Sequence, residues 1–310
     1  MTIQVSASAP GKINIFFKVG ALKSDGYHDV LSVYQALDIR ETVKVADSSR
    51  WRVSVSGALS EEQIAAVPTG EDNLVVRAAK SIGQLANLTR VSELSFEITK
   101  NVPVAGGMGG GSADAAAAML AVDELWDTQV DGEALMKAAA ELGADIPFAL
   151  LGGTAIGIGR GDKLDPIDDV QKLHWVLVPM DAGLSTPRVY AKLDEMRAAK
   201  GQDPTLVPVP EVPYELIDAL VHGDAREVAK HLHNDLQDAA VALMPELSIT
   251  MHAGLAAGAL AAMVSGSGPT IAMLAESEGA AESIANHLAF EGYIAIPTFG
   301  PAKGTLLEKN

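Results

Sequence analysis

The sequence predicts an α+β fold, and two features of the chain carry this prediction. Segments with the residue patterns of strands and helices follow one another without the strict strand–helix alternation of a doubly wound parallel sheet. A glycine-rich run, Gly106–Ser112, joins a strand pattern to a helix pattern. The chain has 310 residues, which is enough for one or two domains. We place a domain boundary near residues 160–172, after a second glycine-containing segment.

The part of the chain before the glycine-rich run contains mainly strand patterns. Apolar residues in short runs, or alternating with polar ones, are typical of strands, whereas apolar residues three or four positions apart are typical of helices. By these criteria Val5–Val19 is predicted as a strand pair or one bent strand, interrupted at Ala9–Gly11. Further strands are predicted at Val30–Val45, Trp51–Ser56 and Leu94–Ile98, and a helix at Asn73–Leu85.

The rest of the chain combines helix patterns, short strand patterns and one proline-rich segment. Helices are predicted at Ala113–Trp126, Gly132–Leu142, Tyr214–Leu220, Glu227–Leu232, Gly254–Val264 and Gly279–Glu291. Strands are predicted at Gly152–Gly159, Trp175–Pro179, Thr270–Ala275 and Ile294–Pro297. Residues 201–213 are rich in proline and polar groups, which predicts an irregular excursion.

The composition disfavours several classes of function. The chain contains no cysteine, which removes disulfide scaffolds, thiol catalysis and cysteine–zinc sites. Its formal net charge is −17, which disfavours binding to nucleic acid or to anionic membranes. A small anionic substrate remains compatible, because a local group of backbone amides and lysines can hold a phosphate in an acidic protein.

Membrane and targeting segments are not predicted. The uncharged stretch Ala253–Ala275 is long enough to cross a bilayer. Gly266, Gly268 and Pro269 interrupt it, so we predict a helix, a glycine loop and a buried strand there instead. Residues 1–15 lack the basic and apolar regions of a signal peptide. We therefore expect a soluble cytoplasmic protein.

The glycine-rich run is the most informative segment. Glycine is unfavourable in helices and strands, so five glycines between Gly106 and Gly111 need a reason. Without Cβ atoms, backbone amides can surround an anion, and the positive end of the following helix faces it. Ser112 can cap the helix or place its hydroxyl on a metal or a phosphate. A flexible linker or a tight turn is the alternative, but the position of the run between a strand and an alanine-rich helix favours phosphate binding.

Two well-known nucleotide-binding loops do not fit this run. A P-loop requires a lysine where Ser112 stands. The dinucleotide fingerprint requires a third glycine where Ser112 or Asp114 stands, depending on the register. The run is therefore expected to bind phosphate by another scheme, with a lysine supplied from elsewhere in the chain.

Three other segments place chemically useful residues at turns. Lys12 follows a Pro-Gly turn, and Asp145 precedes a proline after a predicted helix. Val264–Thr270 is a second glycine turn, between a predicted helix and a predicted strand. Taken singly, these features also fit a surface lysine, an acid at a helix end and a plain turn.

Together and in this order, the segments resemble the three motifs of the GHMP kinase superfamily. These are P-G-K-[IV]-N near the N-terminus, matched by Pro10–Asn14; P-x-x-x-G-[LM]-G-[GS]-[GS]-[SA] in the middle, matched by Pro103–Ser112; and S-G-[ST]-G-P-[ST] near the C-terminus, matched by Ser265–Thr270. The resemblance covers the whole chain. Within the superfamily, three further segments resemble the branch that phosphorylates cytidine-diphospho-methylerythritol: Asp25–His28, Glu71–Val75 and Gly143–Phe148.

The resemblance implies a fold and a reaction. The fold would consist of a ribosomal-S5-like nucleotide domain at residues 1–165 and a ferredoxin-like domain at residues 166–310, with the active site in the cleft between them. The reaction would transfer the γ-phosphoryl group of ATP, with Mg²⁺, to the 2-hydroxyl of cytidine-diphospho-methylerythritol. This small-molecule substrate belongs to the methylerythritol phosphate route to isoprenoid precursors. We expect a monomer or a weak homodimer.

The resemblance also implies roles for individual residues. Lys12 and Asp145 would be catalytic, with Asp145 accepting the proton of the attacking hydroxyl. An aspartate, with an ordinary pKa of about 3.9, is too weak a base to ionise an alcohol beforehand, but it can take the proton late in the transfer. Ser112 would contact Mg²⁺. The ATP-binding residues would be Pro103, Val104, Ala105, Gly106, Gly107, Met108, Gly109, Gly110, Gly111 and Ser112, with Asn73, Leu74 and Lys100 on the adenine side.

A further set of residues would bind the cytidylyl substrate. These are Asn14, Tyr27, His28, Thr186 and Tyr190. Tyr27 and Tyr190 would stack on the two faces of cytosine, and His28 would hydrogen-bond its edge. Tyr190 stands where the family usually has phenylalanine, which keeps the ring. Ala113 stands where the family often has a second serine, so no role is expected for that hydroxyl.

Several alternatives remain open from the sequence. A kinase of the same superfamily that acts on homoserine, mevalonate or a phosphomevalonate would share the three motifs. It would have no need of the aromatic residues Tyr27 and Tyr190. A nucleotide-sensing module that binds ATP without transfer would have no need of Lys12 and Asp145. Asn73 also fits a plain helix N-cap.

Overall fold

The chain forms two antiparallel-rich sheets, each covered by helices. The computed structural model describes residues 3–24, 26–104, 106–180, 182–208 and 211–309. The strands are β1 (Gln4–Leu22), β2 (His28–Asp47), β3 (Arg52–Gly57), β4 (Leu94–Lys100), β5 (Thr154–Gly159), β6 (Lys163–Pro166), β7 (Leu173–Val178), β8 (His233–Asn234), β9 (Ala261–Val264), β10 (Ile271–Ala275), β11 (Ile296–Gly300) and β12 (Leu306–Leu307). The helices are α1 (Glu61–Ala65), α2 (Leu74–Leu85), α3 (Gly110–Trp126), α4 (Gly132–Leu142), α5 (Ile146–Leu151), α6 (Thr186–Ala199), α7 (Tyr214–His222), α8 (Ala225–His231), α9 (Gln237–Leu243), α10 (Glu246–Ala256) and α11 (Glu278–Phe290), and a 3-10 turn lies at Pro204–Leu206.

The first sheet is built on the long hairpin of β1 and β2. Its main path runs β12-β1-β2-β4-β3, and β5 and β8 pair with β2 and β1 outside that path. The alanine-rich helix α3 packs on this sheet together with α2, and Ala115, Ala116, Ala117 and Ala118 are fully buried. Small side chains let a helix lie close to the strands, so a run of alanines both favours the helix and allows its burial.

The second sheet contains four antiparallel strands in the order β11-β7-β10-β9. Counted along the chain, this is the order 4-1-3-2, with helices between the first and second and between the third and fourth strands, as in a ferredoxin-like domain. The predicted α+β class is therefore confirmed. The predicted boundary after residue 165 stays a prediction, and it falls inside β6, before its last residue, Pro166.

Two short strands from the second half of the chain return to the first sheet. Strand β8 pairs in parallel with β1, and β12 pairs antiparallel with β1. The Arg40 guanidinium donates hydrogen bonds of 2.7 Å to the carbonyl oxygens of Lys303 and Gly304, just before β12. The two sheets are therefore tied together at two places, and β8 lies beside the segment that carries Lys12.

Most predicted elements are present with shifted ends, but one assignment is wrong. We predicted a helix over Gly254–Val264, whereas α10 ends at Ala256 and Ala261–Val264 is strand β9. Gly258 has φ +104°, a conformation that ends the helix, and β9 then pairs with β10. Alanine content favours a helix locally, but strand pairing and the burial of Met263 decide the outcome.

Among the described residues no single helix is long and apolar enough to cross a membrane. One consecutive pair, α9 and α10, reaches the required length and composition together, with a bend of 118° between them.

Candidate functional site

Lys12 and Asp145 face each other in a cavity of about 220 Å³. The ammonium of Lys12 lies 3.7 Å from Asp145 Oδ2. Lys12 follows a register shift of β1 at Pro10/Gly11, and its backbone N–H donates to the carbonyl of Met108 in the glycine-rich run. The sequence prediction that these two distant residues converge beside the glycine-rich run is reproduced by this geometry.

The carboxylate of Asp145 makes no capping hydrogen bond to its own helix, α5, so it is available to a ligand. Asp145 is the N-cap of α5, but its side chain accepts no capping hydrogen bond. The side chain is one-third exposed, and Lys12 is its ion-pair partner within the described part of the chain. A buried cation thus faces a carboxylate that is open to a ligand in the cavity.

The ammonium of Lys12 is held in place from two sides. It donates to Asn14 Oδ1 at 2.9 Å, and Asn14 Nδ2 in turn donates to Ser32 Oγ at 2.8 Å. The ammonium also lies 5.4 Å from the centre of the Tyr34 ring. Burial, and next the charge of Asp145, raise the pKa of Tyr34 well above its usual range, so this phenol stays neutral. Asn14 and Tyr34 are both neutral, so neither of them neutralises the positive charge of the Lys12 ammonium that a phosphoryl group would meet.

The glycine-rich run packs directly against the glycine turn Val264–Thr270. Gly107 has φ +76°, and a Cβ atom there would lie 2.3 Å from the carbonyl oxygen of Ser265. The hydroxyl of Ser265 donates to the carbonyl of Gly107, and the N–H of Thr270 donates to the carbonyl of Gly106. Only glycine fits at Gly107, because the two loops approach backbone to backbone.

Helix α3 begins inside the glycine-rich run, three residues earlier than predicted. Its N-cap is Gly109, in the left-handed conformation and without a side-chain cap. Ser112 is therefore not the cap: it is the third residue of the helix and is half-buried outside the cavity lining, and its contact with a metal stays a prediction. The first N–H groups of α3 therefore have no side-chain cap, and Gly109 lines the cavity with Lys12 and Asp145.

A second cavity, of about 390 Å³, adjoins the first. It is lined by four of the five predicted substrate-binding residues, Tyr27, His28, Thr186 and Tyr190. The rings of His28 and Tyr190 lie 5.1 Å apart between centres, and His28 Nε2 lies 3.0 Å from Asp194 Oδ1. Burial, and next the charge of Asp145, raise the pKa of Tyr190, so its ring is neutral. The site thus offers aromatic faces and a fixed imidazole in one place.

The two cavities share a wall, and part of that wall was missed by the sequence analysis. Val30, Arg160, Thr186 and Tyr190 line both cavities. The Arg160 guanidinium lies 4.8 Å from the centre of the Tyr27 ring. Its position between Gly159 and Gly161, directly after a predicted strand, was the available signal. Tyr34 had no signal beyond its place on a predicted strand.

Other predicted residues lie beside the site rather than in it. Asn73 caps α2, accepting from the N–H of Val75, which is the plain structural role left open above. Leu74 lies against the start of α3, 3.7 Å from where a Cβ of Gly111 would stand. Ala105 lies outside the described residues. Pro103 and Val104 precede the glycines and do not line the cavity.

The side chain of Lys100 lies in the core, not on the surface of a nucleotide site. It is 2% exposed, with Nζ 2.5 Å from Glu41 Oε1 and 2.7 Å from Asp114 Oδ2. Lys100, Glu41 and Asp114 thus form a buried cluster. A Cβ at Gly110 would lie 3.3 Å from the Lys100 ammonium, so the cluster packs beneath the first turn of α3. An ATP contact by this side chain is not supported by its position.

The cluster contains two carboxylates but only one ammonium, and this makes the stability of the protein depend on pH. Burial, and next the charge of Asp114, raise the pKa of Glu41 from 4.5 to about 7, although Lys100 opposes the shift. The folded protein therefore holds a proton that the unfolded chain releases between these two values. The free energy of unfolding should fall as the pH rises through this window.

Glu41→Gln should remove this pH dependence. The quantity to compare is the difference in free energy of unfolding, wild type minus variant, measured by urea denaturation. We expect this difference to decrease from about pH 5 to about pH 8. Glu97→Gln, an exposed change on β4, is the matched control and should show no such difference. A wild-type-to-variant difference that is equal at the two pH values would contradict the assignment.

A larger cavity lies elsewhere, between α6 and β8. Its volume is about 1030 Å³, and it contains neither Lys12, nor Asp145, nor any residue of the glycine-rich run. Size alone therefore does not identify the site; the convergence of the charged pair with the glycine-rich run does.

Comparison with known proteins identifies relatives over nearly the whole chain. The model of the GHMP kinases N terminal domain matches residues 73–153, and that of the GHMP kinases C terminal matches residues 216–294. The 4-diphosphocytidyl-2-C-methyl-D-erythritol kinase of Pseudarthrobacter chlorophenolicus is 45% identical over 306 residues, covering 97% of this chain and 93% of that protein. The protein of the same name from Nocardia farcinica is 47% identical over 288 residues, covering 93% and 90%.

Solved structures with the same fold were also found. A crystal structure of 4-(cytidine 5'-diphospho)-2C-methyl-D-erythritol kinase aligns with a TM-score of 0.75 at 27% identity, covering 96% of this chain and 100% of that one. Mevalonate kinase of L. major, with R-mevalonate, aligns with a TM-score of 0.74 at 17% identity, covering 96% of each chain. The second likeness concerns the fold alone.

Proposed function

Since this chain belongs to the GHMP kinase family, among the 4-diphosphocytidyl-2-C-methyl-D-erythritol kinases, we propose that it transfers the γ-phosphoryl group of ATP to the 2-hydroxyl of 4-diphosphocytidyl-2-C-methyl-D-erythritol. One observation carries the proposal to this chain's own residues. Lys12 and Asp145 share a cavity with the glycine-rich run, and that cavity adjoins a second one with aromatic walls. A nucleoside-linked alcohol can occupy both cavities at once.

Asp145 is proposed to accept the proton of the attacking hydroxyl. The hydroxyl oxygen forms a bond to the γ-phosphorus while the bond from that phosphorus to the β–γ bridging oxygen breaks, and ADP leaves. The transition state is loose, so the proton moves late and a carboxylate suffices as the base. The Lys12 ammonium, 3.7 Å from the carboxylate, is close enough to offset charge on the transferring group.

The ATP phosphates are proposed to lie at the glycine-rich run and the start of α3. The uncapped N–H groups of the first turn and the positive end of the helix dipole both favour an anion there. The Ser112 hydroxyl makes no hydrogen bond to any described residue, so it is free to contact the Mg²⁺ that accompanies ATP. Mg²⁺ keeps several waters and needs few protein ligands, so one hydroxyl beside the phosphates is compatible. When bound, it would neutralise phosphate charge.

The second cavity is proposed to hold the cytosine base. Tyr27 and Tyr190 provide aromatic faces, and His28 is fixed by Asp194 so that its ring has a defined direction. The Arg160 guanidinium, on the wall shared by the two cavities, stands where the diphosphate of the substrate must pass. This arrangement supports a cytidylyl alcohol over homoserine or mevalonate, which have no base to occupy it.

The test is an ADP-release assay with ATP and a panel of alcohols. We expect turnover with 4-diphosphocytidyl-2-C-methyl-D-erythritol and none with mevalonate or homoserine. Thermal unfolding gives an independent measurement, in which CDP should raise the melting temperature and mevalonate should not. Turnover of mevalonate or homoserine, without turnover of the cytidylyl alcohol, would overturn the proposal.

Tyr27→Leu should weaken cytidylyl substrate binding without slowing chemistry. Stacking on an aromatic face contributes about 1–3 kcal/mol per base, so we expect the KM to rise by about 10-fold while kcat changes little. Tyr27 is 56% exposed, so the change should not affect folding. Tyr214→Leu, 75% exposed at the start of α7 and outside both cavities, is the matched control. An unchanged KM in Tyr27→Leu would remove this residue from the base site.

The proposal also covers the location, the oligomeric state and the partners of the protein. We place the protein in the cytoplasm, acting as a monomer or weak homodimer on a small molecule. The net charge of −17 supports a role without nucleic acid or membrane partners, because their phosphates would be repelled.

A further inference from the structure

Asn234 is a buried residue outside the three motifs, and both the nitrogen and the oxygen of its side-chain amide make hydrogen bonds to the backbone. Its Nδ2 donates to the carbonyl oxygens of Val264 at 2.8 Å and Gly266 at 2.7 Å, and its Oδ1 accepts from the N–H of Leu236 at 2.9 Å. Both carbonyl groups belong to the glycine turn Val264–Thr270. One side chain therefore fixes the backbone at the start of this turn.

The same residue is fixed to the strand that carries Lys12. Asn234 is part of β8, and it pairs with Phe17 of β1. The next residue, Asp235, strengthens the junction: its N–H donates to the carbonyl of Phe17, and its Oδ2 accepts from the N–H of Val19. Asn234 thus connects β1 to the glycine turn across the junction of the two sheets.

The turn held by Asn234 forms one wall of the catalytic cavity. Gly266 and Ser267 line the cavity, and a Cβ at Gly266 would lie 3.1 Å from Asn14 Oδ1 and 3.7 Å from Lys12 Nζ. In a trans peptide the carbonyl and the following N–H point in opposite directions. Holding the carbonyl of Gly266 therefore also directs the N–H of Ser267, away from Asn234.

We propose that Asn234 is a positioning residue for phosphoryl transfer. By holding Val264 and Gly266 against β1, it keeps the glycine turn in contact with the glycine-rich run and with the Lys12 ammonium. The inference rests on the proposed function, since the geometry it maintains is that of the transfer cavity. Its side chain lines neither that cavity nor the aromatic one, so it acts through the turn and not on the substrate.

Two variants test this role. Asn234→Asp keeps the size and an acceptor for the N–H of Leu236, but it replaces the two donated hydrogen bonds with repulsion between the carboxylate and two carbonyl oxygens. Asn234→Ala removes all three bonds. We expect kcat to fall by about 100-fold in both, because small displacements of reacting groups have effects of this size. The KM for the cytidylyl alcohol should stay near the wild-type value, since the aromatic cavity is untouched.

Hydrogen exchange measures the positioning directly and without substrate. Both variants should exchange faster than the wild type in peptides covering residues 264–270 and 106–109, while peptides of β3 and β4 stay unchanged. Thr250→Val is the matched control: it removes a buried hydroxyl that bonds within α10, and it should leave both kcat and these peptides unaffected.

The outcomes separate this inference from the proposed function. An active wild type with Asn234→Asp at the wild-type kcat would overturn the inference and leave the function standing. Unchanged exchange at residues 264–270 in both variants would overturn it as well. A wild type that phosphorylates none of the alcohols would reject the function, and the exchange measurement would still decide whether Asn234 fixes the turn.

Discussion

Asp145→Asn is expected to lower kcat by about 1000-fold while ATP binding persists. The amide has nearly the size of the carboxylate but cannot accept the proton of the attacking hydroxyl, and general-base catalysis contributes about 10²–10⁴-fold. The side chain makes no capping bond in α5, so the substitution removes no helix contact. Turnover should be measured by ADP release, and ATP binding by calorimetry on the same preparation.

The control for this substitution is Asp131→Asn. Asp131 caps α4 with an exposed carboxylate that accepts from the N–H groups of Glu133 and Ala134, and asparagine caps a helix equally well. It should leave turnover unchanged. An Asp145→Asn variant that turned over at the wild-type rate would refute the assignment of the base. Loss of ATP binding as well as turnover would mean that Asp145 shapes the nucleotide site and not the proton transfer.

The approach of Lys12 to Asp145 was predictable because both residues lie inside sequence motifs whose order and spacing are specific. Lys12 and Asp145 are 133 positions apart by number, and no local pattern indicates that they meet. The resemblance supplied that information, and the structure gives the distance of 3.7 Å. Arg160, Tyr34 and Asn234 were missed because their roles come from tertiary contacts. The two glycines around Arg160 were a weak signal of a loop beside the site, whereas an asparagine after a histidine has no specific meaning in sequence.

The fold was predictable where residue periodicity was strong and long. The hairpin of β1 and β2, helix α2 and helix α4 have clear patterns and were placed correctly to within a few residues. Strands β8 and β12 have two residues each, too few for any alternation to be visible. Strand β9 was assigned to a helix because alanine favours helices, and only its pairing with β10 makes it a strand.

The surroundings of the Lys100 side chain could not be predicted from the motif match. The resemblance implied a contact of this residue on the adenine side of ATP. The structure instead pairs it with Glu41 and Asp114 beneath Gly110. A buried ammonium between two carboxylates cannot be recognised from sequence, because the three residues come from two strands and a helix. The positive charge open to the cavity comes from Lys12 and Arg160 instead.

Gly107→Ala should inactivate the protein through the backbone, without changing any catalytic group. Gly107 has φ +76°, where alanine is strained, and the new Cβ would lie 2.3 Å from the carbonyl oxygen of Ser265. The glycine-rich run and the turn Val264–Thr270 must then move apart, taking Gly109 away from Lys12. We expect kcat to fall by about 100-fold and the free energy of unfolding to fall by about 1–3 kcal/mol.

Gly279→Ala separates this effect from a general intolerance of glycine substitution. Gly279 lies in α11 with no atom within 4 Å of a Cβ placed there, so alanine should stabilise the helix slightly and leave kcat unchanged. The two variants are compared by ADP release and by urea denaturation. A Gly107→Ala variant with wild-type kcat would show that the two loops are free to separate without loss of catalysis. In that case the contact between the glycine-rich run and the glycine turn, on which the role of Asn234 also depends, would have no part in phosphoryl transfer.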